Sequence, residues 1–324
     1  MKIIYLFALN FLFFGSIFSQ EKKNYDSLPE KPILAHPFYS TPSFNQTITL
    51  NDKPFNIHYK KIGSGEPLLL VHGLMTNAYS FRYVIEDLAK HYMLIIPDMP
   101  GAGKSDACPN SKLTPELTAN VLKQFLDSVL PKKEPIYIVG NSLGGYQSIW
   151  FANLFPSYVK KLMVIHSPGF RTTKHWALHI FSRLPFSKSL YKKMVKKEKK
   201  FTLKSLHYHN PSIYSKEEIN EYSEIFTKEE YTETFYNILK HSMSKKYMRK
   251  MRKYVKENQP DFPVFLLWAE EDDIVPPRLG PKYQKLFNLP DSRLRWLKDA
   301  SHFTQVDAPK ETIKAILEFD NKTP

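Results

Sequence analysis

The pattern of this 324-residue chain predicts an α/β fold: a mostly parallel sheet covered on both faces by helices, with a long helical insertion. Three observations lead there. Short apolar runs recur from Pro67 onward, as strands buried on both faces do. The stretches between them are long enough for crossover helices, which parallel strands require. One interval, from Ile165 to Val264, holds no strand-like run and is rich in Lys, Tyr and Met at helical spacing. An insertion of that length in a compact sheet domain reads as a lid or binding element.

Taken in order, residues 1–19 read as a signal peptide. Lys2 supplies a positive start, Ile3–Phe14 is an almost unbroken apolar run, and Ser19 offers a small residue for cleavage. The run falls short of the roughly 20 residues that span a bilayer comfortably, so export to the periplasm or medium is the first expectation. An uncleaved membrane anchor is the second. Residues 20–43, carrying Pro29, Pro32 and Pro37, read as a leader with little regular structure. Two alternating runs then flank Asn51-Asp52, a hairpin signal.

The strand-like runs that follow are Pro67–Val71, Met93–Ile96, Ile136–Val139, Leu162–Ile165 and Val264–Trp268, with Leu294–Leu297 a weaker sixth. Crossover helices are expected over Ala78–His91, Thr114–Leu130 and Gly144–Phe155. The implied organisation is a core in two parts, 44–168 and 261–324, interrupted by a helical cap at 169–260.

Net charge is +14, and most of the excess sits between Arg171 and Lys256. It therefore describes the cap rather than the molecule. Basic segments there, Lys192–Lys200 and Lys245–Lys253, are interleaved with Met, Val and Tyr. Such a surface can rest on an anionic membrane, though a plain solvated face has the same composition. No nucleic-acid-binding module accompanies the charge, so nucleic acid is not an expected partner. The single cysteine, Cys108, excludes an internal disulfide. No metal-ligand spacing stands out, and no cofactor is expected.

The strongest local signal is Gly140-Asn141-Ser142-Leu143-Gly144, followed by Gly145. A buried strand runs into it and a helix-like stretch leaves it. A turn this sharp needs small residues, lifts the Ser142 hydroxyl to the carboxyl edge of the sheet, and turns the Leu143 N–H toward a reacting oxygen. Leu70-Val71-His72-Gly73-Leu74 and Asp98-Met99-Pro100-Gly101-Ala102-Gly103-Lys104-Ser105-Asp106 stand upstream.

With these motifs the chain resembles the α/β-hydrolase superfamily, in particular its lid-bearing esterase and lipase-like members, over about Ile48–Phe319. The resemblance implies the α/β-hydrolase fold, with a mostly parallel eight-stranded sheet and an inserted helical cap. It makes Leu74, after His72-Gly73, the second oxyanion donor beside Leu143. The Asp98–Asp106 segment becomes a structural turn.

A serine hydroxyl is a weak nucleophile and needs a base oriented by an acid. In this fold the chain order is Ser, acid, His. Trp268-Ala269-Glu270-Glu271-Asp272-Asp273-Ile274-Val275-Pro276 resembles the family's W-G-x-x-D-x-x-V-P, and register on Trp268, Val275 and Pro276 selects Asp272. Glu270, Glu271 and Asp273 stay close alternatives. Some relatives carry the acid after the sixth strand, but here His166-Ser167-Pro168-Gly169 offers no carboxylate. Ser301-His302-Phe303 with Asp307-Ala308-Pro309 resembles G-H-x-x-x-x-E-x-P and makes His302 the base. His72, Gly73 and Phe303 are candidate substrate contacts, His72 with a structural alternative. His166 is a candidate pocket residue.

The expected activity is hydrolysis of a carboxylic ester, with a small-molecule or lipid acyl substrate. The same triad also serves carbon–carbon or amide hydrolysis. Asn141 before Ser142 occurs in the carbon–carbon group, but that group usually has Trp where Phe303 stands. A non-catalytic ligand-binding protein on this fold is the remaining alternative.

Overall fold

The computed structural model describes residues 24–130, 134–172, 181 and 184–321. The expected signal peptide and the cap residue Trp176 lie outside them. Among the described residues no helix is long and apolar enough to cross a membrane.

Eight strands form one sheet: β1 (Ser43–Leu50), β2 (Lys53–Ile62), β3 (Glu66–Val71), β4 (Tyr92–Pro97), β5 (Ile136–Asn141), β6 (Val159–Ile165), β7 (Val264–Ala269) and β8 (Leu294–Leu297). Their spatial order is β1-β2-β4-β3-β5-β6-β7-β8. β1 and β2 pair antiparallel, as do β2 and β4, and the other pairs are parallel. The β1–β2 turn has Asn51 at φ 50° and Asp52 at φ 60°. Two successive left-handed residues suit the right-handed twist of a two-residue hairpin, and Asn and Asp tolerate that conformation best after glycine.

The helices in chain order are α1 (Ile85–Leu88), α2 (Pro115–Val129), α3 (Leu143–Leu154), α4 (Ser187–Val195), α5 (Glu198–Ser205), α6 (Lys216–Ser223), α7 (Glu229–Asn237), α8 (Lys245–Glu257), α9 (Gly280–Leu286), α10 (Thr304–Asp307) and α11 (Pro309–Asn321). α2 starts where expected: Thr114 caps it by accepting from the Leu117 N–H, and Pro115 fits the first turn. The crossover helix expected over Ala78–His91 does not form as one. A 3-10 turn, Ala78–Phe81, and the four-residue α1 take its place. All four residues of that turn are buried, leaving no solvent face for an amphipathic helix.

Helices α4 to α8 stand between β6 and β7, where the cap was expected. Part of this segment has its own apolar centre, built from Tyr191, Phe201, Phe226, Phe235 and neighbours, with Leu74 and Met75 of the core packed against it. Helix α8 turns Met248, Met251 and Val255 inward. Its Lys245, Lys246, Arg249, Lys253 and Lys256 are exposed. Some of the cap's charge is paired: Lys192 reaches Glu229 and Glu233, and Lys250 reaches Glu116 of α2.

Among its described residues the leader carries a short 3-10 turn, Tyr25–Ser27, and it is firmly tied. The carbonyls of Pro29 and Glu30 accept from the Lys216 and Glu217 N–H groups, 2.8 and 3.0 Å away. They thereby satisfy donors that the first turn of α6 leaves open. Tyr25 and Tyr39 add side-chain bonds to Asn220 and Glu221 of the same helix. The cap meets the core through a buried ion pair, with Arg82 Nη2 2.8 Å from Glu218 Oε1 and both side chains fully buried. The Tyr208 hydroxyl donates to the same oxygen at 2.6 Å.

Candidate active site

Ser142 sits between β5 and α3 with φ 55° and ψ −121°, a conformation a non-glycine residue adopts only under constraint. The constraints are visible. The Ser142 N–H donates to the Ile165 carbonyl of β6 at 2.8 Å. A Cβ on Gly144 would lie 2.2 Å from the Val71 carbonyl oxygen, and one on Gly140 would lie 2.6 Å from that of Gly144. Backbones this close admit only glycine. Leu143 opens α3, so its N–H has no partner within the helix and is available to a ligand.

Asp272 and His302 meet as the sequence suggests. Both are 2 % exposed. His302 Nδ1 is 2.8 Å from Asp272 Oδ2, and the Ile274 and Val275 N–H groups donate to Oδ1 at 2.7 and 2.8 Å. Burial pushes the Asp272 pKa up, but the flanking imidazoles outweigh it and hold the carboxyl well below the usual range. Asp272 is therefore ionised. The neighbouring carboxylates do not compete: Glu270 and Asp273 are exposed, and Glu271 turns to His209.

The His302 loop is fixed from both sides. Asn141, next to Ser142, donates its side-chain amide to the His302 carbonyl at 3.2 Å. Asp307 accepts from the Ser301 N–H at 2.9 Å and from the His209 N–H of the cap at 3.1 Å. Burial pushes its carboxyl up to about 6.

The other candidates fall into place as follows. His72 is buried, with Nδ1 2.8 Å from the Gly73 carbonyl and Nε2 accepting from the Met99 N–H at 2.9 Å. These partners fix one neutral tautomer, and burial lowers its pKa. Both ring nitrogens are engaged, so His72 joins two loops, and it also lines the cavity described below. Gly73 abuts Ser142: a Cβ there would stand 3.1 Å from the serine's own. Asp98 and Asp106 serve the backbone, accepting from the N–H groups of Ala78 and Asn56.

A narrow cavity of about 30 Å³ lies against this edge, with Gly73, Leu74 and Leu143 in its wall. That is room for a couple of water molecules. From the cap side Ile225, Phe235, Ile238 and Ser242 close it, the last two on a π-helical turn, Ile238–Ser242. Of the cap's aromatic residues among those described, Phe235 reaches the cavity. Phe181, Tyr191 and Phe226 bury the cap's own centre, and Phe186 is 85 % exposed. Phe303 packs edge-on against the imidazole of His302 and against Tyr208, away from the cavity wall.

One residue is more closely involved than its sequence position suggested. His166, after β6, is fully buried, and its Nδ1 lies 2.8 Å from Asp272 Oδ2, the oxygen that His302 also holds. The contact is short but falls outside hydrogen-bond geometry, so neither Nδ1 nor Nε2 has a hydrogen-bond partner. Burial lowers its pKa despite Asp272, so the ring is neutral. β6 and β7 are paired neighbours whose Ile165 and Leu267 lie side by side, and that adjacency is the signal that could have linked positions 166 and 272.

Comparison with known proteins agrees with this architecture. A hydrolase of Bacillus subtilis (strain 168), described as uncharacterized and called YugF, is 27% identical over 267 residues, 81% of this chain and 92% of its own. Lipase 3 of Moraxella sp. (strain TA144) is 25% identical over 77% of this chain and 75% of its own. A 2-hydroxy-6-oxononadienedioate/2-hydroxy-6-oxononatrienedioate hydrolase of Cupriavidus pinatubonensis is 36% identical over 37% of this chain and 42% of its own. The model of the alpha/beta hydrolase fold matches residues 66–309, and with the sheet order and the strained strand-to-helix turn described above, the chain belongs to that family.

Proposed function

We propose that this protein is a serine hydrolase acting on carboxylic esters with small or slender apolar acyl groups. The observation that carries the proposal is Ser142 on its strained turn, with the Asp272–His302 pair tied by Asn141 to the same turn. In this reading His302 Nε2 takes the Ser142 proton as Oγ bonds to the acyl carbon. The Leu74 and Leu143 N–H groups hold the oxyanion. Collapse breaks the bond to the leaving oxygen, which receives the proton from His302. Water, deprotonated by the same imidazole, then attacks the acyl-enzyme and frees the acid and Ser142. Asp272 stays ionised and steadies the imidazolium.

Carbon–carbon hydrolysis by the same residues is a second reading, favoured by Asn141 and by the relative from Cupriavidus pinatubonensis. The cavity wall speaks for the ester. It includes Leu74, Met75, Met99 and Leu113 and, among the described residues, no Lys or Arg. A dianionic substrate such as that relative's name describes needs cationic partners when desolvated. The test is a panel of p-nitrophenyl esters of increasing chain length alongside a ring-fission dienedioate. Turnover of short esters supports the proposal. Turnover of the dienedioate alone favours the second reading, and turnover of neither by folded protein favours a ligand-binding role.

A further inference from the structure

A buried carboxylate offers about four lone-pair positions, and each one left empty away from water is costly. Asp272 has no water to turn to. Two positions, on Oδ1, are filled by the Ile274 and Val275 N–H groups. His302 Nδ1 fills one on Oδ2. Near the fourth stands His166 Nδ1, 2.8 Å from Oδ2 but outside hydrogen-bond geometry.

We propose that His166 is a positioning residue for this site, its Nδ1–H completing the donor set of Asp272 and fixing the carboxylate in the orientation that aligns His302. The inference rests on the hydrolase reading above. Two further facts fit it. His166 adopts φ 48°, a left-handed conformation uncommon outside glycine, though histidine enters it more readily than most side chains. Strain of that kind persists where surrounding structure over-determines a residue. Neither ring nitrogen makes a hydrogen bond of ordinary geometry, and Nδ1 lies 2.8 Å from Asp272 Oδ2, close enough for a small rotation of the ring to form one. A neutral donor also suits the task better than a cation. It satisfies the carboxylate without cancelling the negative charge that an imidazolium at His302 requires.

The test compares wild type with His166→Phe, which keeps a ring but removes the donor, and His166→Gln, which restores an amide N–H. Kinetics on the best p-nitrophenyl ester should show kcat down about tenfold for His166→Phe, the worth of one hydrogen bond to a charged group. KM should be unchanged, and His166→Gln should recover most of the loss. In protein carrying ¹⁵N-histidine, a far-downfield imidazole Nδ1–H proton should stand beside those of His302 on Asp272 and His58 on Asp98 in wild type and be missing in His166→Gln, a readout available even if the Phe variant does not fold. Equal kcat in wild type and His166→Phe, or the same set of downfield protons in wild type and His166→Gln, overturns the inference. Absence of ester turnover in wild type would instead count against the hydrolase reading, and the proton spectrum would still judge His166.

Discussion

Glu218→Ala should be among the most damaging single substitutions outside the active site. The side chain is fully buried, 2.8 Å from an equally buried Arg82. Around Arg82 the rings of Tyr79 and Tyr83 each lie 4.4 Å from the guanidinium carbon. Truncating Glu218 strands this cation without its counter-charge and takes the acceptor from the Tyr208 hydroxyl. Breaking one side of a buried pair costs about 3–5 kcal/mol, against a total stability of roughly 5–15 kcal/mol for a folded domain. In a chain of this size that is a fall in Tm of about 4–8 °C. Removing the whole polar group behaves differently. The triple variant Arg82→Met, Glu218→Leu, Tyr208→Phe removes the cation, its counter-charge and the Tyr208 donor together and should lie within about 2 kcal/mol of wild type. Calorimetry on the three proteins decides it. A Glu218→Ala variant that melts within 2 °C of wild type, or a triple variant as damaged as the single, refutes the reasoning.

Further expectations are narrower. Gly144→Ala should cost about 1–3 kcal/mol or more and abolish ester turnover, because its Cβ would sit 2.2 Å from the Val71 carbonyl oxygen in a part of the sheet that cannot shift; comparing circular dichroism, Tm and turnover with wild type checks it. Cys108 is buried and its thiol is pushed up to about 12; iodoacetamide at pH 8 should leave it unmodified in the native protein and alkylate it in guanidinium chloride. Asp307, raised to about 6 from an ordinary value near 3.8, keeps a proton between these values that the unfolded chain gives up. Its contribution to stability is full below about pH 4 and lost as pH rises through 6. The Tm difference between wild type and Asp307→Asn should fall across that window, and a flat difference would contradict the shift.

How much of this was legible in the sequence depended on whether the signal was local. The hairpin announced itself because Asn51-Asp52 must supply two left-handed residues in a row. The glycines around Ser142 record close backbone contacts that any larger residue would break. Register favoured Asp272 but left three neighbouring carboxylates as alternatives, and the structure sets Asp272 2.8 Å from His302. What failed to show depended on distant partners. Ala78–His91 has the composition of a crossover helix, and the burial of Ala78–Phe81 breaks it into turns. The leader looked loose because the donors that tie it belong to α6, far along the chain. Arg82 and Glu218 stand 136 residues apart, and His166 reads as a loop residue until β6 and β7 are set side by side.

The account as a whole turns on one covalent event. A fluorophosphonate incubated with the folded protein, followed by proteolysis and mass spectrometry, reports which hydroxyl is activated. A single phosphonyl adduct on Ser142, absent in Ser142→Ala and strongly slowed in His302→Ala, is the predicted result; an adduct on another residue, or an unmodified Ser142 in protein that still turns over esters, would contradict it.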